Sequence, residues 1–190
     1  MKLNLGCGKN KISGYVNVDR FGEPDVRHDL ENFPWPWPNN HFDEVRASHV
    51  LEHLGKDPDN FIGVMKEIYR ICANGARIFI NVPHPRHDNF LSDPTHVRPI
   101  TPLLMSLFCR RLNIHWQAQG GANSPLALYH NVDFELRAVS YTLEEPYHRE
   151  FVEGRIPESE IQQLLRERNN IASEIRMELE AIKENNSESN

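Results

Sequence analysis

The first eight residues constrain the fold more than any other stretch of this chain. Residues 3–5 form a short, mostly apolar run that leads directly into Gly6-Cys7-Gly8. Glycine adopts positive φ angles and has no Cβ, so a Gly-x-Gly turn lets the backbone turn tightly and approach a ligand closely. A buried parallel strand that ends in such a turn is typical of open α/β sheets, which bind ligands at the carboxyl ends of their strands.

The next segments repeat this design. Residues 15–19, 26–30 and 42–48 are short runs that each deliver a polar side chain where the run ends. The run 76–82 is mostly apolar and predicts a fifth strand, buried on both faces. Residues 134–141 alternate apolar and polar side chains, which predicts an edge strand. We therefore predict an α/β fold with a Rossmann-like, doubly wound and mostly parallel sheet.

One helix is predicted between the fourth and fifth strands. Asp57 and Pro58 form a helix start, with the aspartate as N-cap and the proline as first helical residue. Apolar residues then recur at helical spacing as far as Cys72. A second, shorter helix is predicted at 102–112, and a loop at 113–125.

These motifs, in this order, resemble class I S-adenosylmethionine-dependent methyltransferases. The likeness covers residues 2–100, and the segments 37–43 and 93–98 are similar to small bacterial and phage-type members. The resemblance implies S-adenosylmethionine as cofactor and a methyl-transfer activity. The sheet of this family ends in an antiparallel pair of strands, so the strand at 134–141 should belong to that pair. It implies that the cofactor contacts Asn4, Gly6, Cys7, Gly8, Asp19, Asp29, Leu30, Ser48 and His49.

Three of these residues have specific expected roles. A carboxylate at a strand end can accept hydrogen bonds from both hydroxyls of a ribose diol, which is the role expected of Asp19. The resemblance implies that Asp29 accepts from the adenine amino group, and that the Leu30 amide donates to a ring nitrogen. Each aspartate could instead be a capping or turn residue.

The segment after the glycine turn departs from the family pattern. Asn10 stands where a third glycine is usual, and only residues 9–14 separate the turn from the second strand. A crossover between parallel strands needs roughly a dozen residues. We therefore expect the first crossover helix to be truncated to at most one turn.

Histidines near the strand ends are the candidate catalytic residues, namely His49, His84 and His96. Imidazole titrates near neutral pH and is suited to act as a base for a hydroxyl acceptor. His49, Glu52 and His53 also have the H-x-x-E-H spacing of a zinc site, which leaves a metal-dependent hydrolase open as an alternative. The motif context favours the methyltransferase interpretation, and no metal is predicted.

The amino-acid composition bears on which partners and which environment the protein has. The net charge of −6 comes from residues 143–190, which carry 12 acidic and 6 basic side chains, whereas residues 1–142 carry 15 of each. A neutral body without a basic stripe argues against a nucleic-acid substrate. The sequence contains no run of about 18 apolar residues, so no membrane span is predicted. The three cysteines show no disulfide or metal spacing, which indicates a reducing, cytoplasmic environment.

The C-terminal region is predicted to be a separate structural unit. We divide the chain into a methyltransferase domain at 1–154 and, at 155–190, an amphipathic helix with a frayed end at 185–190. Apolar residues from Ile161 to Ile182 form a heptad-like stripe on this long helix. The helix is expected to cover the sheet face left bare by the short crossover, within one subunit or in a homodimer.

The sequence thus predicts transfer of a methyl group to a small-molecule or glycan-type acceptor. The acceptor itself has no signature in residues 83–130. Besides the hydrolase, a non-catalytic module that binds the cofactor and serves as an assembly partner is a second alternative. The asparagines at positions 4 and 10, where the family often has an acid and a glycine, favour that alternative.

Overall fold

A single seven-stranded sheet organises the protein. The computed structural model describes residues 1–183, so the frayed end predicted at 185–190 lies outside the described residues. In chain order the strands are β1 (Lys2–Leu5), β2 (Val16–Asp19), β3 (Val26–Arg27), β4 (Phe42–Ser48), β5 (Cys72–Pro83), β6 (Phe134–Leu143) and β7 (Ala172–Ala181).

The strands lie in the order β3-β2-β1-β4-β5-β7-β6, and β1 to β5 are parallel. β7 is antiparallel to both of its neighbours, β5 and β6. The strand order changes direction between β1 and β4, because successive strands are added on one side of β1 up to β3 and on its other side from β4. Open α/β sheets bind ligands at such a switch point. The predicted Rossmann-like, mostly parallel sheet is confirmed, as is the antiparallel pair that includes the strand at 134–141.

Short helices connect the later strands. They are α1 (Pro58–Ile71), α2 (Asp88–Leu91), α3 (Pro102–Ser106), α4 (Arg110–Ala118), α5 (Leu126–His130), α6 (Tyr147–Val152) and α7 (Glu158–Glu167), with a 3-10 helix at Leu51–His53 before α1. In the described structure the segments from β1 to β2 and from β2 to β3 contain no helix. The truncated first crossover is therefore confirmed. No described helix is long and apolar enough to cross a membrane.

The hydrophobic core lies on one face of the sheet, under α1. The helix begins as predicted, since the Asp57 carboxylate accepts the Asp59 N–H at 2.8 Å and Pro58 is the first helical residue. Its buried side chains pack with strand residues such as Leu3 and Ile78 in one continuous cluster. Full burial of each such side chain contributes about 1.5–3 kcal/mol to stability.

The opposite face of the sheet is polar and open to solvent. Ion pairs join its neighbouring strands: Arg77 of β5 lies 2.7 Å from Glu178 of β7, and Arg137 of β6 lies 2.7 Å from Glu180 of β7. Opposite charges on adjacent strands stabilise a sheet without a second layer. Because this face is charged, it needs no covering helix, contrary to the expectation that it is apolar.

The long C-terminal helix predicted for residues 157–184 is wrong. Among residues 157–183, which the structure describes, only α7 is helical, and residues 172–181 form β7, which lies inside the sheet rather than on it. Along β7, Ile175, Met177 and Leu179 are buried while the residues between them are more exposed, which is the two-residue period of a strand. The dimer predicted through that helix loses its structural basis.

The region before β6 is more helical than predicted. The single helix expected at 102–112 is two helices, α3 and α4, and α4 continues to Ala118 in the segment predicted as a loop. Asn113 explains part of the difference, because it is a buried residue of α4. Its side-chain amide donates to the Leu107 carbonyl and accepts from the Ala127 N–H, so it joins α4 to α5.

Candidate active site

The turn after β1 places two glycines in left-handed conformations for different reasons. Gly6 has φ +60°, and a Cβ there would lie 2.4 Å from Val50 Cγ2, so the backbone packs directly against the segment after β4. Gly8 has φ +49°, and a Cβ there would meet no atom within 4 Å. Gly6 is therefore required for packing, whereas Gly8 faces open space in which a ligand can approach the backbone.

Asp19 closes this turn from the end of β2. Its Oδ2 accepts the Gly8 N–H at 2.8 Å, and its Oδ1 accepts the Phe21 N–H at 2.8 Å. A carboxylate offers about four lone pairs, so each oxygen keeps one for a further donor. The side chain is thus fixed in position and still able to accept two hydroxyl groups. Residues 6–8 and Asp19 form what we call the glycine cradle.

Asp29 and Leu30 follow β3, next to the cradle. Asp29 Oδ1 accepts the Glu31 N–H at 3.0 Å, and the Leu30 carbonyl accepts the Trp35 indole N–H at 3.1 Å. Trp35 is buried, and its backbone N–H donates to the carboxylate of Glu67 of α1 at 2.6 Å. The helix therefore holds the loop that positions Leu30, while the Asp29 carboxylate stays partly exposed at the sheet edge.

Two predicted cofactor contacts lie on the polar sheet face instead of in the cradle. The Asn4 side chain is buried there and donates to Asn17 Oδ1 at 3.0 Å and to the Asn10 carbonyl at 3.1 Å, which holds the short crossover onto the sheet. Ser48 lies at the carboxyl end of β4 beside Asn81 of β5, on the same face as Arg46. Cys7, by contrast, lies in the cradle, where it is buried and its backbone N–H donates to the Val18 carbonyl at 2.9 Å.

His49 sits between two carboxylates just after β4. Its Nε2 lies 2.9 Å from Glu174 Oε1, and its Nδ1 lies 3.5 Å from Glu52 Oε1. Glu52 and then Glu174 raise the pKa of His49 above its usual value, against the effect of burial. Both ring nitrogens of His49 face carboxylates rather than open space, so His49 is poorly placed to act as a base.

His84 has the opposite character. Burial, followed by the nearby His87 and Arg86, lowers the pKa of His84, so the ring is neutral near pH 7. Its Nδ1 accepts the Arg86 N–H at 3.2 Å, which leaves the proton on Nε2. His84 can therefore donate a hydrogen bond to an acceptor molecule but cannot readily take a proton from it.

His96 belongs to a cluster with Glu52 and His53, in which one ligand atom of each residue lies within 4.8 Å of the others. The His96 ring stacks on Phe90, and its Nδ1 lies 2.9 Å from the Phe90 carbonyl. A carbonyl only accepts, so Nδ1 carries the proton and Nε2 keeps its lone pair. This Nε2 lies 3.8 Å from Asp93 Oδ2, beyond hydrogen-bond distance.

Two residues of this region were not predicted from the sequence. Glu174 lies in β7, in the segment mistaken for a helix, and its contact with His49 has no sequence signal. Thr95, whose hydroxyl lies 3.0 Å from His53 Nδ1, lies within the segment 93–98 that resembled family members, but no role was expected for it.

Comparison with known proteins agrees with this geometry. Residues 16–80, which run from β2 into β5, match the family model described as a methyltransferase domain. This match, together with the fold, supports a class I methyltransferase. The family model begins just after the glycine turn, so the turn itself is identified by its structure. No curated protein matches the chain.

Solved structures share the fold of this chain at low sequence identity. A SAM-dependent methyltransferase from Archaeoglobus fulgidus is 19% identical, with 94% of this chain and 85% of that chain covered and a TM-score of 0.58. One from Methanosarcina mazei is 13% identical, with 96% and 92% covered and a TM-score of 0.55. A 1,6-didemethyltoxoflavin-N1-methyltransferase from Burkholderia thailandensis is 12% identical, with 96% and 71% covered and a TM-score of 0.51.

The glycine cradle of this methyltransferase fits S-adenosylmethionine. The open space beside Gly8 admits a ligand, the spare lone pairs of Asp19 suit a ribose diol, and Asp29 with Leu30 lies one strand farther along the same edge. The cofactor supplies a methyl group on a sulfonium, which is already an activated donor. The protein therefore needs mainly to align the acceptor with that methyl group.

Proposed function

We propose that this methyltransferase uses S-adenosylmethionine to methylate a polar small molecule or a glycan-type acceptor. The observation that carries the proposal is the glycine cradle, in which Asp19 is fixed by two backbone N–H groups and keeps lone pairs for a ribose. The neighbour from Burkholderia thailandensis has 1,6-didemethyltoxoflavin and S-adenosylhomocysteine bound, which supports a small acceptor on this fold.

The acceptor would lie beyond the end of β4, where polar groups gather. His49 follows β4, His84 follows β5 and Glu174 lies in β7. The neighbouring ends of these strands bring the three residues to one edge of the sheet. His84 would donate a hydrogen bond to an acceptor oxygen through Nε2, and the charged pair of His49 and Glu174 would position it. Such groups suit an acceptor rich in hydroxyls rather than an apolar one.

Titration calorimetry with S-adenosylmethionine and S-adenosylhomocysteine tests the cofactor assignment. We expect one equivalent to bind, and Asp19→Asn to weaken binding by about 10–100-fold, because a hydrogen bond involving a charged group contributes about 1.5–3 kcal/mol. Asp43→Asn is the matched control, because Asp43 lies at the other end of the sheet, beside the N-terminus. Unchanged affinity in Asp19→Asn would refute the ribose assignment.

An acceptor screen with isotope-labelled methyl donor tests the reaction. We expect label to appear in hydroxyl-bearing small molecules or sugar derivatives. Tight cofactor binding without any labelled product across such a panel would favour the non-catalytic module. Hydrolysis that requires a metal and ignores S-adenosylmethionine would favour the hydrolase.

A further inference from the structure

Glu52 is a buried carboxylate without a hydrogen-bond partner. Its exposed fraction is 1%, and neither Oε1 nor Oε2 is paired within the described part of the chain. Its nearest ionic neighbour, His49 Nδ1, is 3.5 Å away, which is longer than a good hydrogen bond. An uncompensated buried charge is costly, so such a group calls for a partner that the protein itself does not supply.

The imidazole of His53 faces the same place with a fixed tautomer. The Thr95 hydroxyl donates to Asp93 Oδ1 at 2.6 Å, so its oxygen accepts from His53 Nδ1–H at 3.0 Å. This arrangement leaves the lone pair of His53 on Nε2. Metal-binding histidines are commonly oriented in this way, through a hydrogen bond from the other ring nitrogen to a carboxylate, a carbonyl or another fixed acceptor.

His96 is oriented in the same way from the other side. Its Nδ1–H donates to the Phe90 carbonyl at 2.9 Å, so its lone pair also lies on Nε2. The rings of His53 and His96 have centroids 4.7 Å apart, and Val97 N–H donates to the Glu52 carbonyl at 2.9 Å, which ties the loop to the 3-10 helix. Two imidazoles, each with its Nδ1 held by an acceptor of the protein, and one carboxylate therefore converge, with ligand atoms within 4.8 Å of one another.

We propose that Glu52, His53 and His96 bind a divalent first-row transition cation such as Zn²⁺ or Mn²⁺. The mixed nitrogen and oxygen donors suit these ions rather than Ca²⁺ or Mg²⁺, which prefer oxygen alone. The ligand atoms, within 4.8 Å of one another, need small side-chain rotations to reach bonding distances of about 2.0–2.2 Å. Three protein ligands leave coordination positions open.

An open position beside His49 suggests what the cation does. It would hold a hydroxyl oxygen of the acceptor and, as a Lewis acid, lower the pKa of that hydroxyl, so that its proton leaves to solvent water and the oxygen takes the methyl group without a histidine base. This role rests on the proposed function, whereas binding of the cation does not. Cation binding and methyl transfer can therefore fail independently in experiments.

Metal-stripped, untagged full-length protein titrated with Zn²⁺ and with Mn²⁺ tests the site. We expect one equivalent of at least one ion to bind, with affinity lowered at least 100-fold in Glu52→Gln and in His96→Ala. Thr95→Val, which removes only the hydroxyl that orients His53, should weaken binding by about 10–100-fold. His115→Ala, at an exposed histidine of α4, is the control and should bind like the unmodified protein.

Thermal unfolding provides a second measurement that does not depend on activity. The bound ion should raise the Tm of the unmodified protein, and the same ion should leave the Tm of Glu52→Gln unchanged. Circular dichroism of each metal-free variant confirms that it is folded. Absence of binding at millimolar ion, or equal binding by Glu52→Gln, would overturn the proposal and leave Glu52 as a counter-ion of His49.

Discussion

Glu174 of β7 accepts a hydrogen bond from Nε2 of His49 at 2.9 Å, although 125 positions of sequence separate the two residues. Thr142 Oγ1 and the Arg176 guanidinium, both at 3.2 Å, also hold the Glu174 carboxylate. The last strand of the sheet therefore reaches the end of β4, where the acceptor is proposed to bind. The C-terminal region contributes a strand to the central sheet and, through Glu174, a contact to the proposed acceptor site.

Removal of this contact should affect the reaction more than cofactor binding. We expect Glu174→Ala to lower kcat about tenfold or more, because His49 would lose the carboxylate to which it is hydrogen-bonded and the acceptor would be aligned less well. The Kd for S-adenosylmethionine should stay within about twofold. Glu178→Ala, at an ion pair of the same strand on the polar sheet face, is the control and should leave kcat unchanged.

The two glycines of the cradle should respond differently to alanine. Gly6→Ala should reduce the free energy of unfolding by about 2–4 kcal/mol, because the left-handed φ disfavours a Cβ and Val50 occupies its space. Gly8→Ala should cost only about 1–2 kcal/mol, from φ alone, but should weaken cofactor binding, because its Cβ enters the open ligand space. Denaturant unfolding and calorimetry on both variants check this contrast, and a larger stability loss in Gly8→Ala would contradict it.

The Glu67 carboxylate should make stability depend on pH. Burial acts to raise the pKa of Glu67, but the Arg70 guanidinium and the Trp35 N–H outweigh burial and hold that pKa below its usual value. A depressed pKa contributes stability above the unfolded-state value of about 4.3, and this contribution is lost as the pH falls below it. We expect Glu67→Gln to be less stable by about 1–3 kcal/mol at pH 7.

The free energy of unfolding at lower pH tests whether the charge of Glu67 causes the difference in stability. Urea unfolding should show the gap between Glu67→Gln and the unmodified protein narrowing as the pH falls below about 4.3. Glu23→Gln, at an exposed glutamate, is the control and should match the unmodified protein throughout. A gap that stays constant with pH would indicate a loss of packing rather than of charge.

Because residues 172–181 form a strand, alternate side chains should contribute unequally to the free energy of unfolding. Leu179→Ala should reduce the free energy of unfolding by about 2–5 kcal/mol, since Leu179 is buried in the core between β5 and β6. Arg176→Ala, at an exposed position on the polar face, should change it by about 0.5 kcal/mol or less. Similar effects of the two substitutions would argue against the strand.

The sequence by itself determined those features of the protein that depend on residues close together in the chain. The apolar run before Gly6, the polar residues at the ends of β2 to β4 and the Asp57-Pro58 helix start each follow from backbone chemistry within a few residues. They predicted the parallel sheet and the start of α1. The acidic C-terminal region was misjudged because Ile175 and Leu179 are four residues apart, a spacing that suits both a helix and a strand.

Only the tertiary structure decided how distant side chains pair. It brought Glu174 to His49, left Glu52 buried without a partner, and fixed the tautomers of His53, His84 and His96 through hydrogen bonds with Thr95, Arg86 and Phe90. It also showed that the bare sheet face is held by ion pairs between strands rather than by a helix. These features depend on which strands become neighbours, and strand order is a property of the folded sheet that local sequence does not encode.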